Sequence, residues 1–167
     1  MSLSEITKSK EAELRQIKDH EVAVVFDAFG DIMVEEHGGN SSVDLGPCVD
    51  RIRQVGKATL VHNHPLGWQY AADEPRRSGS SFSPEDIAAP CYAELTETRA
   101  VGPQDRYSMR PDSGLRWNGG YWINTMSPAL ERHKLAFQAA SRSRSGLGRM
   151  ITASRFPAIT VSNLPLP

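Results

Sequence analysis

The chain has 167 residues, with 19 basic and 20 acidic side chains, so its formal net charge at pH 7 is −1. This balance gives no global attraction to nucleic acid or to anionic membranes, and neither is expected as a partner. The N-terminal stretch is polar, and no run approaches the roughly 20 apolar residues that a membrane helix needs. Cys48 and Cys91 lack the spacing of a disulfide framework or a cysteine zinc site. We therefore expect a cytoplasmic protein of one domain with an appended segment.

The first half of the chain predicts a helix, a pair of strands and a second helix. A weakly amphipathic pattern predicts the first helix over 4–17. Apolar runs predict strands over 21–28 and 31–35, and Gly30 between them can supply the positive φ that a tight hairpin requires. Apolar residues at helical spacing predict the second helix over 45–55. This order is typical of a mixed sheet with helices packed against it.

Two histidines follow the next buried run. The apolar, β-favouring segment 58–61 predicts a strand, and His62 and His64 at its carboxyl end project to the same side because strand side chains alternate. Asn63 faces the other way. Pro65 has no backbone N–H and ends the ladder. Two imidazoles therefore point at one spot where a strand passes into a loop.

A capped helix start follows and supplies a carboxylate. Ser83 is a good N-cap, Pro84 is favoured at the first helical position, and Asp86 falls at the third. A carboxylate at that position can turn back toward the end of the strand. Two neutral imidazoles and one carboxylate, with a coordination position left for water, are the pattern of a catalytic zinc site.

These residues resemble the JAMM metalloprotease motif, also called JAB or MPN+. That motif is a distant acidic residue followed by His-x-His-Pro and then Ser-x-x-Asp. The resemblance implies that His62, His64 and Asp86 bind Zn²⁺ and that Ser83 hydrogen-bonds at the site. It also implies an α/β fold in which helices flank a mixed β-sheet, the JAB/MPN or cytidine deaminase-like architecture.

The remaining member of the motif is a glutamate upstream, at the start of the first core strand. Glu21 matches that place. The resemblance implies that Glu21 is the general base, taking a proton from the water that the zinc activates. Glu35 and Glu36, at the end of the next predicted strand, are its rivals.

The function that the resemblance implies is hydrolysis of a peptide or isopeptide bond. The substrate would be a protein or peptide, and cleavage behind a ubiquitin-like carboxyl terminus is one form of it. The alternative is a RadC-like or phage-associated JAB domain with a role in DNA processing or assembly and no protease activity. A third class, the non-catalytic scaffold, generally lacks the ligands that this chain retains.

Two other motifs with similar letters are excluded. Zinc deaminases carry His-x-Glu and then Pro-Cys-x-x-Cys. Here His64 stands where the glutamate should be, and Glu94 replaces the second cysteine. HNH nucleases disperse their histidines and asparagine across a ββα unit, whereas here these residues are adjacent.

The two halves of the motif are separated by a longer connection than in compact family members, because Asp86 lies 22 positions after His64. The extra residues, over 66–81, include Trp68, Tyr70, Arg76 and Arg77. One interpretation is an insertion that covers the metal or contacts the substrate, since loops at a site carry specificity. The other is a disordered surface loop.

The last part of the chain predicts several more elements and a tail. The helix that begins at Ser83 runs to about Thr96, and Pro90 would kink or interrupt it. Further elements are strands over 98–101, 106–110 (with one buried face) and 115–117, a helix beginning at Ser127–Pro128, and an apolar stretch over 158–161. That stretch packs back on the domain, reaches a neighbouring subunit or is disordered. We assign 1–126 to the hydrolase domain and 127–167 to a C-terminal helix and flexible tail.

Overall fold

A six-stranded mixed sheet with helices on both faces forms the protein in a computed structural model that describes residues 1–78, 82–143 and 159–164. The order of the strands is β2-β1-β3-β4-β5-β6. The strands are β1 (Val22–Phe26), β2 (Ile32–His37), β3 (Thr59–Asn63), β4 (Glu97–Val101), β5 (Arg106–Pro111) and β6 (Ile159–Leu164). The helices are α1 (Leu3–Leu14), α2 (Val49–Val55), α3 (Pro84–Ala93), α4 (Gly119–Tyr121) and α5 (Ser127–Ser143). The predicted α/β class, a mixed sheet flanked by helices, is confirmed.

Strand β1 is buried on both of its faces. It pairs antiparallel with β2 and with β3, and β3 in turn pairs parallel with β4. Val22, Val24 and Phe26 pack under α1. Ala23 and Val25 belong to the larger core beneath α2 and α3. The alternation of β1 therefore separates two layers of helices, and the candidate site lies in the layer of α2 and α3.

The first four elements form close to their predicted positions. Gly30 has a φ of +94° in the hairpin turn, as the pattern predicted. Strand β1 begins one residue after Glu21, and α1 ends at Leu14, earlier than predicted. A 3-10 turn over Gly46–Cys48 precedes α2, and Gly56 ends that helix with a φ of +63°.

The strand predicted over 115–117 is wrong, since this segment has no regular structure. Trp117 is buried in the main core instead, and Asn118 caps the helical turn that follows by accepting a hydrogen bond from the Tyr121 N–H at 2.8 Å. Besides β4, strand β5 pairs antiparallel with β6, so the described part of the apolar C-terminal stretch packs back on the sheet. The pairing of β5 with β6 joins residues far apart in the sequence, so the pattern of neighbouring residues does not predict it.

Other boundaries in the second half also differ from the predictions. Helix α3 ends at Ala93, before Thr96, with Glu94 in the left-handed region at φ +55°. Helix α5 begins at Ser127 as predicted, but it continues directly from a π turn over Trp122–Met126 instead of starting after a loop. Pro128 has no N–H to donate to that preceding turn. Residues 144–158 and 165–167 lie outside the described residues, and the division at 126/127 stays a prediction. Within the described part of the chain, no helix has the length and apolar character to cross a bilayer.

A buried ion network joins α1 to the sheet. Glu11 is only 3% exposed, and its two carboxylate oxygens accept from Arg99 at 3.2 Å and from Arg106 at 2.9 Å. The single buried face predicted for β5 is therefore wrong, because Arg106 and Ser108 are buried as well as Met109. On this face of β5, Arg106 pairs with Glu11 and the Ser108 hydroxyl donates to Glu97.

We expect Glu11→Ala to lower the free energy of unfolding by about 3 kcal/mol, because two guanidinium groups would remain buried without their shared carboxylate. Urea denaturation measures this change. Glu13→Ala is the matched control on the same helix, since Glu13 is 63% exposed and pairs only with Lys10, and it should cost less than about 1 kcal/mol. Equal losses in the two variants would contradict the assigned role of Glu11.

Candidate metal centre

The first ligand is held at the end of β3 by small neighbours. His62 pairs with Ala23 on one side and with Ala100 on the other. These methyl side chains leave space on the sheet for an imidazole, which is 2% exposed. His64 lies just beyond the strand, where its backbone N–H donates to the carbonyl of Val101 at 2.8 Å. Strand pairing therefore fixes the backbone of both histidines.

The third ligand is oriented by the cap of α3. The Ser83 hydroxyl accepts from the Asp86 N–H at 3.1 Å, and the Asp86 Oδ2 accepts from the Ser83 N–H at 2.7 Å. This reciprocal capping box turns the carboxylate back toward the sheet. The predicted helix start at Ser83 is thus confirmed.

The three side chains converge on one point. The Nε2 atoms of His62 and His64 are 3.0 Å apart. The Asp86 Oδ1 is 3.3 Å from the first of these nitrogens, and its Oδ2 is 3.4 Å from the second. A tetrahedral ion with bonds of about 2.0–2.1 Å needs ligand atoms about 3.3–3.4 Å apart. The three separations of 3.0, 3.3 and 3.4 Å lie near this spacing, with each carboxylate oxygen facing one imidazole, so these residues could hold a metal ion.

The His62 ring is supported differently from many metal-binding histidines. A ligating histidine usually donates its second ring N–H to a neighbouring group. The Nδ1 of His62 is buried and has no hydrogen-bond partner among the described residues. The ring is instead enclosed by its alanine neighbours and by Phe82, whose ring centroid lies 6.3 Å away. Packing therefore orients this ligand.

Glu21 completes a four-residue cluster. One ligand atom from each of Glu21, His62, His64 and Asp86 lies within 4.8 Å of every other. Glu21 is 5% exposed, and burial raises the pKa of its carboxyl against the opposing influence of His62 and His64. Burial alone would also raise the pKa of Asp86, but hydrogen bonds with the two histidines outweigh it and hold that pKa far below its usual range. The two carboxyl groups are thus pushed apart in acidity, which suits one for ligation and the other for proton transfer.

The backbone of Glu21 is held on the side of β2 by two glycines. Its N–H donates to the Gly39 carbonyl at 2.6 Å, and its own carbonyl accepts from the Gly38 N–H at 2.8 Å. A Cβ on Gly38 would lie 2.0 Å from the Ser42 carbonyl oxygen, whereas a Cβ on Gly39 would meet nothing within 4 Å. Only glycine fits at position 38.

The rival glutamates lie away from the cluster. Glu35 pairs with Lys10 at 3.2 Å. Glu36 accepts a hydrogen bond from the Cys48 thiol at 3.4 Å. Among the described residues, Glu21 is the glutamate that joins the two histidines.

A groove of about 820 Å³ opens beside the cluster. Its lining comes from the loop over 41–46, α2 and α3. Glu21, His62, Ser83 and Asp86 line it, together with Asp50, Arg53 and Tyr92. The cluster is therefore reachable by a ligand larger than water.

The described part of the insertion is tied down away from this groove. Residues 66–78 contain two 3-10 turns, and none of them lines the groove. The Arg77 guanidinium lies 4.4 Å from the Trp68 ring centroid and donates to the carbonyls of Trp68 and Tyr70. Lys18, which follows α1, lies 4.6 Å from the same indole ring. The described residues of the insertion therefore do not cover the groove beside the candidate metal centre. Residues 79–81 lie outside the described part of the chain.

Two residues that support the site were not predicted from the sequence. The sequence assigns no role to Gly38, and it places Asn63 only as a side chain that faces away from the histidines. A polar amide inside an otherwise apolar strand was the available signal for Asn63, since buried polar groups are normally hydrogen-bonded. No comparable signal distinguishes Gly38 from Gly39, because the difference depends on the distant turn at Ser42.

No family model, curated protein or solved structure matches the chain.

The first prediction concerns metal binding. We expect the wild-type chain, reconstituted with Zn²⁺ and dialysed, to retain about one ion per chain, and Asp86→Ala to lose affinity by more than about 100-fold because a direct ligand is removed. Glu85→Ala is the matched control, since Glu85 lines the same groove one residue away without joining the cluster. Elemental analysis measures the stoichiometry, and equal zinc in the two variants would contradict the ligand set.

The second prediction concerns the turn that holds Glu21. Gly38→Ala should cost about 1–3 kcal/mol of stability, because the new methyl group must displace the Ser42 carbonyl. Gly39→Ala should stay within about 0.5 kcal/mol. Chemical denaturation of both variants provides the comparison, and a tolerated Gly38→Ala would show that the turn adapts freely.

Proposed function

We propose that the chain is a zinc-dependent hydrolase of JAMM type that cleaves a peptide or isopeptide bond. The observation that carries the proposal is the ligand triangle of His62, His64 and Asp86 with the buried Glu21 beside it, open to a groove. Two imidazole nitrogens and a carboxylate oxygen are a ligand set of catalytic zinc sites. The same four residues carry the sequence resemblance to the JAMM motif.

A bound zinc ion and Glu21 would have different roles in hydrolysis. When bound, a zinc ion would polarise a substrate carbonyl and lower the pKa of water toward neutrality. Glu21, whose carboxyl pKa is raised by burial, is suited to accept a proton from the attacking water and to return it to the leaving nitrogen. Its buried position excludes competing solvent from the transfer.

Ser83 has a second role besides its cap. Its hydroxyl oxygen accepts from the Asp86 N–H, so the hydroxyl hydrogen remains available to donate. Ser83 also lines the groove next to the cluster. A donor in that place would stabilise the negative charge that develops on the carbonyl oxygen.

The lining of the groove suits an extended peptide as substrate. Its lining is mixed, with Val43, Leu45 and Ala89 among polar residues that include Ser41 and Ser42. An extended carboxyl-terminal tail followed by an amide bond, as in ubiquitin-like proteins, would lie along such a surface with its scissile carbonyl at the cluster. A peptide and an isopeptide bond present the same carbonyl there.

The experiment that tests the proposal uses the zinc-loaded chain and ubiquitin-like proteins extended at the carboxyl terminus by a peptide or by an isopeptide-linked lysine. We expect hydrolysis that stops with a chelator and returns with zinc. Glu21→Gln should lower kcat by about 10²–10⁴-fold while zinc is retained, because general base catalysis is lost.

Glu36→Gln is the control for that experiment, because Glu36 lies on the neighbouring strand and contacts Cys48 rather than the cluster. It should leave kcat near the wild-type value. Hydrolysis that survives Glu21→Gln, or that is lost equally in Glu36→Gln, would contradict the assignment of the base.

A second candidate is a DNA-processing or assembly role of the RadC-like kind, and the insertion favours it. Lys18 and Arg77 both contact the Trp68 ring, and Arg76 lies 4.3 Å from the Tyr70 ring centroid. Cationic and aromatic side chains together are the elements of single-stranded nucleic acid binding. Salt-sensitive binding of single-stranded DNA that is weakened by Arg77→Ala, without hydrolysis of any peptide, would favour this function over the first.

A further inference from the structure

The side chain of Asn63 links the histidine strand to the segment that carries Glu21. It is 1% exposed and makes three hydrogen bonds. Its Oδ1 accepts from the Val22 N–H at 2.6 Å, and its Nδ2 donates to the carbonyls of Ile17 at 3.1 Å and His20 at 3.0 Å. All the donors and the acceptor of the amide thus face backbone groups of one segment.

These contacts enclose Glu21 on both sides along the chain. His20 precedes it and Val22 follows it, so the amide of Asn63 holds the two peptide units that flank the residue. The backbone pairing of β1 with β3 ends at Ala23 and His62. Asn63 therefore extends the link between the two strands beyond the last paired residues.

The position of the Glu21 carboxylate depends on its backbone. Charge interactions link it to His62, His64 and Asp86. The glycine turn holds its peptide groups on the side of β2, and Asn63 holds the neighbouring peptide groups on the side of β3. A displacement of this segment would move the carboxylate away from the ligand triangle.

We propose that Asn63 is a positioning residue for Glu21. The proposal rests on the proposed function, in which Glu21 is the general base. The chemistry of the contact requires an amide, because one acceptor meets an N–H and one donor group meets two carbonyl oxygens. Aspartate would keep the bond to the Val22 N–H but would place a carboxylate oxygen against two carbonyls. Asn63 also sits between the two histidine ligands, so one strand orients both the ligands and the base.

The test compares Asn63→Ala and Asn63→Asp with Val61→Ala. Val61 is the matched control because it is fully buried, on the same strand and on the same face, and packs against α1 without contacting the Glu21 segment by hydrogen bonds. Native-state hydrogen exchange reports the bond from the Val22 N–H. We expect exchange at Val22, corrected for global stability, to rise about tenfold in Asn63→Ala but not in Asn63→Asp or Val61→Ala.

Two further readouts concern the side chain of Glu21. The nuclear Overhauser effect between the Glu21 γ-protons and the His62 ring should weaken in both Asn63 variants and persist in Val61→Ala. In the hydrolysis assay, Asn63→Ala should lower kcat with KM unchanged, and it should cause little further loss in a Glu21→Gln background, since both substitutions act on the same step.

Unchanged exchange at Val22 in Asn63→Ala, or an undiminished Overhauser effect, would overturn the positioning role. Both measurements use the protein without substrate. A chain that hydrolyses nothing would therefore contradict the proposed function, while the exchange and Overhauser results would still decide the role of Asn63.

Discussion

The antiparallel register of β1 and β3 is the constraint on which the candidate site depends. It sets Ala23 opposite His62 and brings Glu21, the residue before β1, beside the cluster. Because strand side chains alternate, a slip of one residue would turn Glu21 toward α1 and bring Val22 to the site. Burial of both faces of β1 opposes such a slip, since it would also exchange the two cores that β1 separates. The hydrophobic pattern of one strand thus fixes the geometry of a polar site.

The cluster also brings two carboxyl groups together in a largely buried part of the fold. Two carboxyl groups, from Glu21 and Asp86, lie within 4.8 Å of each other and of two imidazoles in a largely buried space. Burial raises the pKa of the Glu21 carboxyl, whereas at Asp86 hydrogen bonds with His62 and His64 outweigh burial and lower the pKa, so the two carboxyl groups differ in acidity. A divalent ion would offset the cost of burying this negative charge, so metal binding and folding stability should be coupled.

The convergence of the candidate site residues was more predictable than the surroundings that hold them. His62, His64, Ser83 and Asp86 belong to local patterns, namely alternation at a strand end and a helix cap, and the structure brings them together with Glu21. The same local reasoning gave the α/β class and most boundaries to within a few residues. These predictions succeeded because each depends on residues that are close together in the sequence.

The failures arose where distant residues compete for the same surface. The segment over 115–117 has a strand-like composition, but Trp117 is drawn into the core and β6 takes the position beside β5. The buried guanidinium of Arg106 was unpredictable without knowing that Glu11 lies across from it. Trp68 and Arg77 likewise gave no sign that they would fix the insertion beside α1 rather than over the groove. Contacts across the sheet and between its layers decide where these residues lie. A short stretch of sequence does not contain that information.

The parallel pairing of β3 with β4 has a consequence for how the site assembles. A parallel pair requires a crossover, and α3 is the helix that carries the chain from one strand to the other. Asp86 lies in the first turn of that helix, so docking of the crossover and delivery of the third ligand are one event. Parallel pairings are slow to form because the closing of the intervening chain precedes the contacts that reward it. During refolding, the ability to capture a metal ion should therefore appear together with the completed β-α-β unit and not with the earlier β1–β2 hairpin.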